Sequence, residues 1–499
     1  MNIGCLFILN FITPYIRFII LTLFILLLSN NIAHGQNVSY SNPEESNSKT
    51  PYTTILAQNK NGLFVLRQNY RQRRRNILIE KFSPDLKSQM AKEFLNRKDE
   101  YLLQIIVLSS ELNIFYAFKD KINKTINLSV KRIDADLNPI GKDSILLKVP
   151  EQDIEADYIQ VIKTRNAPYT LILAPRIKAE VPTEYSYMVI DTFLNLKSYG
   201  DIDIDMTYPY LLDQVAYTEN EIAILSKQDI PKKIYKDGFH YVISYGKYGQ
   251  HLLKNYPLYN DSINVSEGVL KNDLINHSFT FTGLYYLKDS GYSKGYYIWN
   301  RNHIHEETIS KAIAFTPDLL KDAGGIYNAM KGIPGIKLSD VVLRKDGGII
   351  LVAEEYRFNK DVQMEQGFYG GGMPINNFRY FFYYNNLIVI SLNKDGNKDW
   401  HHIIKKEQVS MNDNGVYSSY LLHVMADKLT FAFNDLSRNR WLLSSYSLNA
   451  QGEDEAKVLI HPQEYVGKII PRDGCQVSNS EFVMPGFTEK GTVIVRIKL

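Results

Sequence analysis

The chain has 499 residues, of which 45% are hydrophobic and 22% charged, with a formal net charge of +3. That is ample apolar material for a core, and so small a net charge supplies no concentrated basic face of the kind a nucleic-acid binder needs. Tyrosine is unusually plentiful, at 35 residues, which favours strand packing and leaves rings available as stacking surfaces.

At the amino end, Met1–Gly35 holds an apolar run, Phe18–Leu28, behind Arg17, and then Ala33-His34-Gly35 before Gln36. An apolar segment followed by a small-x-small site reads as a secretory signal peptide over residues 1–35, directing the chain to the cell envelope or outside the cell. Residues Cys5–Pro14 are also apolar, so an uncleaved anchor is the alternative, and only that version would meet a membrane. Cleavage leaves one cysteine, Cys475, and so no internal disulfide. Residues 36–50 form a polar leader rich in Ser and Asn, and 51–499 read as a single domain.

From Pro51 onward one phrase recurs: an apolar strand, a polar turn with Asn or Asp and Gly, then a second short strand. The clearest copy is Leu387–Trp400, LIVISLNKDGNKDW; looser ones stand at Asn76–Lys87, Asn127–Asp143, Tyr185–Tyr199, His240–Leu252, Gly295–Ile309 and Arg440–Ala456, with the strand alone at Thr492–Leu499. Self-similarity at a period of about 50 residues predicts a β-propeller of four-stranded antiparallel blades. Third-strand starts near 76, 127, 186, 239, 296, 386, 440 and 492 give seven full units and an eighth with three strands. Eight blades are favoured over seven, with Val38–Tyr40 supplying the missing strand and removing a sticky edge. Ser83–Leu95 reads equally as a capped amphipathic helix, but the repeat favours strand. Thr316–Lys321 reads as a short helix, with Thr316 as cap and Pro317 in its first turn.

The one long interval, from 296 to 386, holds two excursions: Phe315–Gly335 between units, and Tyr356–Arg379 between a second and a third strand. In an alternating blade both emerge on one face, while first-to-second and third-to-fourth turns are short and emerge opposite. Function concentrates where a rigid scaffold carries long loops. The Tyr356–Arg379 segment carries Phe368, Tyr369, Gly370, Gly371 and Gly372, then Met373 and Pro374, and further on Phe378 and Tyr380. Flexible glycines beside aromatics suit stacking on a sugar ring or gripping a peptide; the bland alternative is a loop tucked onto the propeller. No Gly-Lys-Ser/Thr follows, so this is no phosphate loop.

Other candidates carry less. His303 and His305 share a strand face, but His305-Glu306-Glu307-Thr308 is followed by Ile309 where a zinc-protease helix needs His. Asp201, Asp203 and Asp205 begin like a calcium loop, yet Met206 and Leu212 stand where Gly and Glu belong. Arg71, Arg73, Arg74 and Arg75 read as a solvated turn or an anion grip. No metal and no cofactor is expected, and catalytic residues are not identifiable from sequence.

The Leu387–Trp400 copy resembles the short repeat of secreted bacterial β-propeller proteins, with partial matches at Leu443–Glu455 and Met188–Gly200. That resemblance implies a secreted propeller used for binding or scaffolding and transfers no catalytic residue. The Asp-box of sialidase-like propellers is only grazed, since Asp395 stands where Gly is required. The expectation is a monomeric, non-enzymatic binding or scaffold protein that meets a glycan or protein ligand through its loop-rich face. The alternative is a propeller enzyme, a glycan hydrolase or lyase, with carboxylates at the central funnel.

Overall fold

A computed structural model describes residues 38–43, 52–59, 61–68, 77–108, 111–151, 156–164, 167–176, 184–206, 210–229, 239–260, 262–287, 290–324, 331–365, 375–437, 440–461 and 467–499. Eight antiparallel sheets follow one another along the chain, each built on four strands. Blade 1 is Tyr52–Asn59, Gly62–Gln68, Ile77–Phe82 and Ser88–Phe94, blade 2 is Glu100–Leu108, Glu111–Asp120, Thr125–Ile133 and Ser144–Pro150, blade 3 is Gln160–Ile162, Tyr169–Arg176, Glu184–Asp191 and Leu196–Asp203, and blade 8 has Lys468–Ile469, Glu481–Thr488, Gly491–Lys498 and Val38–Tyr40, each in that order. Blade 4 is Tyr210–Tyr217, Glu221–Asp229, Phe239–Lys247 and Lys254–Pro257, and blade 5 is Ile263–Asp273, Ser278–Leu287, Tyr292–Asn302 and Thr308–Ala314. Blade 6 has Ile336–Leu343, Ile349–Glu365, Ile375–Leu392 and Lys398–Ile404, and blade 7 has Leu421–Val424, Lys428–Ser437, Arg440–Asn449 and Asp454–Ile460. Residues 83–94, ambiguous in sequence, form a turn and the strand Ser88–Phe94, the outer strand of blade 1.

The core is not one mass but a set of layers between neighbours. One buried cluster joins Phe64, Leu66 and Ile77 of blade 1 to Leu102, Leu112 and Ile114 of blade 2. Others continue round the molecule, and the last joins Val483 and Ile494 of blade 8 to Leu63 and Val65 of blade 1. Middle strands are therefore covered on both faces: Ser278–Leu287 is buried at eight successive positions, Ser278, Thr280 and Thr282 among them. Fourth strands lie at the rim and are mostly exposed, as in Thr308–Ala314.

Blade 8 draws its outermost strand from the other end of the chain. Val38–Tyr40 pairs with Gly491–Lys498 in the register Val38↔Ile497 and Tyr40↔Val495. Ser41 extends the seam: its N–H donates to Ile494 O and its Oγ accepts from Ile494 N–H, both at 2.9 Å. Ring closure also has a polar part, since buried Arg67 holds Glu80 at 2.7 Å and donates to Thr492 Oγ1 at 2.8 Å across blades 1 and 8.

The recurring phrase is a third-to-fourth turn with a fixed mechanism. Its first residue accepts backbone N–H groups on its side chain: Asn393 Oδ1 from Asp395 and Asn397, Asp191 Oδ1 from Phe193 and Asn195, Asn449 Oδ1 from Gln451 and Glu453. Its fourth residue is left-handed, with φ near +57° at Leu86 and Leu137, +66° at Leu194, +78° at Gly396 and +82° at Gly452. The same gap against the preceding blade is filled in two ways. Leu137 is itself fully buried among blade 1 side chains, whereas over Gly452 the Trp400 ring of blade 6 takes the space, and a Cβ there would come within 2.7 Å of it.

Candidate functional site

The long excursion of blade 6 differs from its expected form. Tyr356–Arg379 is not chiefly loop: its second and third strands run on as a hairpin arm, paired from Tyr356↔Tyr384 out to Glu365↔Ile375. Aromatic residues favour strand on both sides: Tyr356 and Phe358 alternate on one, and Phe378 leads into the aromatic run Tyr380–Tyr384 on the other. A bulge between Glu354 and Tyr356 marks where blade becomes arm. Gln408–Met411 adds a third strand beside Phe381–Tyr384, and Asn412 brackets Tyr380 with two 2.9 Å hydrogen bonds, one to each of its backbone polar groups.

Residues directly opposite in an antiparallel pair share a face. One face of the arm thus carries Tyr356 with Tyr384, Phe358 with Phe382, and Lys360 with Tyr380, with Phe378 at the next position outward. The rings pair along it: Tyr356–Tyr384 centroids lie 5.0 Å apart, Phe358–Phe382 5.2 Å, and Phe358 stacks on Tyr380 at 6.0 Å with only 14° between planes. Lys360 Nζ sits 4.0 Å from the Phe378 centroid. Toward the tip the stripe is open to solvent, with Phe358 46%, Phe378 42% and Tyr380 36% exposed. Of the residues anticipated as ligand-binding, Phe378 and Tyr380 lie on this stripe, while Phe368, Tyr369, Gly370, Gly371 and Gly372 lie outside the described residues. Phe382 follows Phe378 and Tyr380 in the aromatic run, whereas Tyr356, Phe358 and Tyr384 were missed, because five consecutive aromatics at Tyr380–Tyr384 hide which rings share a face.

The foot of the stripe enters a hollow of about 460 Å³ whose wall includes Tyr356, Tyr384, Asp213, Lys227, Tyr241, Glu267, Lys337, Ser339, Glu354, Ser419 and Arg472. These come from blades 4, 5, 6, 7 and 8, which meet only around the ring axis, so the hollow is the mouth of the central funnel. It opens where second strands end and first strands begin, the face from which the arm rises. Bulges shape it: the first strands skip register at Leu212/Gln214, Val265/Glu267 and Leu338/Asp340. The inserted Asp213 and Ser339 both line the hollow.

Its charges are mostly answered within the wall. Lys227 Nζ lies 3.0 Å from Asp213 and 5.4 Å from the Tyr241 ring centre. Lys406, buried, holds Glu354 at 2.6 Å, and Ser419 Oγ donates to the other Glu354 oxygen at 2.8 Å. Burial pushes the Lys406 ammonium down against the pull of Glu354. Asp340 accepts from Tyr420 Oη at 2.8 Å, yet burial still raises its carboxyl. Glu267 is raised too: burial outweighs the opposing field of Lys337 and the N–H of Leu338. Exposed Lys337 and Arg472 stand over Tyr356 and Tyr384, at 3.8 and 5.1 Å from the ring centres.

The lesser candidates have structural places. Half-buried His303 puts Nδ1 2.5 Å from Glu221, whose other oxygen accepts from Tyr245 at 2.8 Å, while His305 is exposed in the turn. Asp201 accepts from Ser186 at 2.7 Å and Asp203 pairs with His251 at 2.6 Å, both at the rim strand of blade 3. Helix α1, Pro317–Gly324, lies in the other excursion, whose far end, Ile333–Pro334, pairs with Tyr292 and Ser293 of blade 5. It buries Leu319 and Ala323 and engages the rim strand of blade 6, with Asp318 on Lys398 and Asp322 on His401. Arg71, Arg73, Arg74 and Arg75 lie outside the described residues, as does the amino-terminal segment 1–37. Among the described residues no helix is long and apolar enough to cross a membrane, and no three His, Cys, Asp or Glu groups gather as a metal site.

No protein-family model matches the sequence, and no curated protein matches it. Among solved structures, the chain is similar to the β-propeller domain of the Trilobed protease from Pyrococcus furiosus, at 10% identity and TM-score 0.34, covering 84% of this chain and 98% of that one. It is also similar to lignostilbene dioxygenase from Pseudomonas brassicacearum (9%, TM-score 0.35, covering 87% and 94%) and to sucrose-6-phosphate hydrolase from Lactobacillus gasseri (11%, TM-score 0.28, covering 92% of each). Likenesses this distant carry no argument about activity; the propeller rests on the eight sheets themselves.

Proposed function

We propose that this protein binds a glycan, laying the chain along the aromatic stripe of the blade 6 arm with its end in the central funnel. One observation carries the reading: rings that the strand register places on a single face run unbroken from exposed Phe378 and Tyr380 to Tyr356 and Tyr384 in the funnel wall. Stacked, solvent-open rings beside hydroxyl and charged groups suit a polyhydroxylated chain with apolar ring faces, and exposed aromatic surface of this extent is uncommon without a partner. The amino-terminal apolar segment supports an exported protein at the envelope or outside the cell, where such polymers are met; a mature chain beginning at Gln36 by mass spectrometry is the check.

The test is affinity electrophoresis through gels containing xylan, laminarin or polygalacturonate. At least one polymer is expected to retard the wild type, and the triple variant Phe358→Ala, Phe378→Ala, Tyr380→Ala to run unretarded with an unchanged melting temperature. Equal retardation of both proteins refutes the stripe, and no retardation by any polymer refutes the glycan.

A second reading has its own observation. Asp213 and Glu267 stand on neighbouring inner strands beside Lys227 and Tyr241, and Glu267 is a carboxyl held toward its neutral, proton-donating form. That supports general acid chemistry on the bound chain. Release of new chain ends by wild type but not by Glu267→Gln would establish an enzyme; none from either leaves a binding protein.

A further inference from the structure

Trp441 is the one tryptophan that packing does not absorb. The sequence has three. Trp299 is fully buried between blades 4 and 5. Trp400 lies over Gly452, and its indole N–H donates to Ala450 O at 2.9 Å. Trp441, near the start of the third strand of blade 7, is 39% exposed, and it borders two adjoining hollows of about 220 and 760 Å³ that also share Gln408, Val409 and Asn434. The larger is within the range of small-molecule sites.

The walls set the ligand chemistry. With the indole, the walls carry Val409, Met411 and Leu436 together with groups of mixed sign, among them Asn385, Lys405, Glu407 and Lys468. Such a wall does not select an apolar guest, which would strand these groups without water. Nor does its balance of signs select a strong anion or cation. An aromatic plate beside the buried Asn385 Oδ1, which has no hydrogen-bond partner among the described residues, and the exposed Lys405 and Glu407 matches a neutral sugar ring, whose axial C–H face packs on the indole while its hydroxyls meet those groups. The plate is held firmly: Arg440–Asn449 is paired along its length, with Trp441 opposite Leu436. Gln408 is pinned as well, its amide donating to Asn434 O at 2.7 Å and accepting from Ser419 N–H at 2.7 Å.

The cleft and the stripe meet at the strand Gln408–Met411: Gln408 and Ser410 lie opposite Tyr384 and Phe382 of the stripe, the exposed Val409 and Met411 lie on the other face, and all four border the smaller hollow. We propose that the Trp441 cleft is a second sugar-binding subsite, taking a neutral hexose or pentose ring from a branch or a bend of the same chain that lies on the arm. The proposal rests on the glycan reading above, and its test separates the two.

Intrinsic fluorescence reads the site directly, because Trp441 is the exposed indole. Wild type is titrated with xylohexaose and with laminarihexaose, alongside Trp441→Phe, Trp441→Ala and the Phe358, Phe378, Tyr380 triple alanine variant. The expected result is a saturable blue shift in wild type that vanishes in Trp441→Phe. By calorimetry Trp441→Ala weakens binding about tenfold, the scale of one aromatic contact, while Trp441→Phe, which keeps a ring, loses less. Binding to wild type without a spectral shift and with unchanged affinity in Trp441→Ala overturns the subsite and leaves the stripe standing. Binding lost in neither Trp441→Ala nor the triple variant, or no binding of either sugar, overturns both. Melting temperatures of the Trp441 variants stay within the wild-type range, since the ring is not part of a buried cluster.

Discussion

The third strand of blade 6, Ile375–Leu392, ends in two different worlds. At Leu392 it enters the repeated turn, where every residue has a geometric duty: Asn393 accepts two backbone N–H groups and Gly396 takes φ +78° beneath Ile298 of the preceding blade. At its other end the same strand leaves the blade as the arm, where Phe378 and Tyr380 face water and no neighbouring blade needs them. The turn is what a ring of blades requires in order to pack. The aromatic arm is not required by the ring at all, which makes it the part that answers to a partner. Substitutions on the turn face should cost stability and spare binding, and those on the arm should do the reverse.

The sharpest break of this contrast is Leu137→Ala. The alanine keeps the left-handed backbone but empties a fully buried site against blade 1, so a loss of about 2–5 kcal/mol is expected in urea unfolding. Polysaccharide retardation of the folded protein should be unchanged. Gly452→Ala attacks the opposite solution to the same gap. A left-handed non-glycine residue costs about 1–2 kcal/mol, and its Cβ meets the Trp400 ring, so destabilisation in that range or somewhat above it is expected. If Leu137→Ala abolished binding while leaving stability intact, the division between the two faces would fail.

The smallest effect tests the funnel. Burial raises the Glu267 carboxyl above its unfolded value, so the folded state holds that proton more tightly than the unfolded chain. Its contribution to stability is complete below the unfolded value, about pH 4.3, and declines as pH climbs through the raised folded value. Glu267→Gln cannot ionise. Its melting temperature should match wild type near pH 4 and exceed it at neutral pH. A wild type more stable than Glu267→Gln at neutral pH would mean that Lys337 and Lys227 outweigh burial there.

Much of the scaffold was legible in the sequence because its cause is local. Asn393, Asn449 and Asp191 announce their turns through side chains that reach only two to four residues onward. The missing strand of blade 8 could be inferred by counting, and Val38–Tyr40 fills it. The arm is hard to read from sequence because three glycines at 370–372 signal a loop and the aromatic run Tyr380–Tyr384 shows no alternation. The funnel was not legible, since Asp213, Glu267 and Glu354 are far apart in sequence and meet only through ring geometry. Aligning the first strands by their bulges would have helped, for Gln214, Glu267 and Asp340 follow the skipped position in successive blades.

The seam between Val38–Tyr40 and Gly491–Lys498 sets a timetable. The outermost strand of the last blade is synthesised first and placed last, because its partner comes some 450 residues later; Ile494 and Ser41 are 453 positions apart. At roughly 5–20 residues per second, the first strand waits on the order of 20–90 s for the edge it will cover. Until that edge is made, no closed ring can form, so an unpaired Val38–Tyr40 marks every incomplete chain.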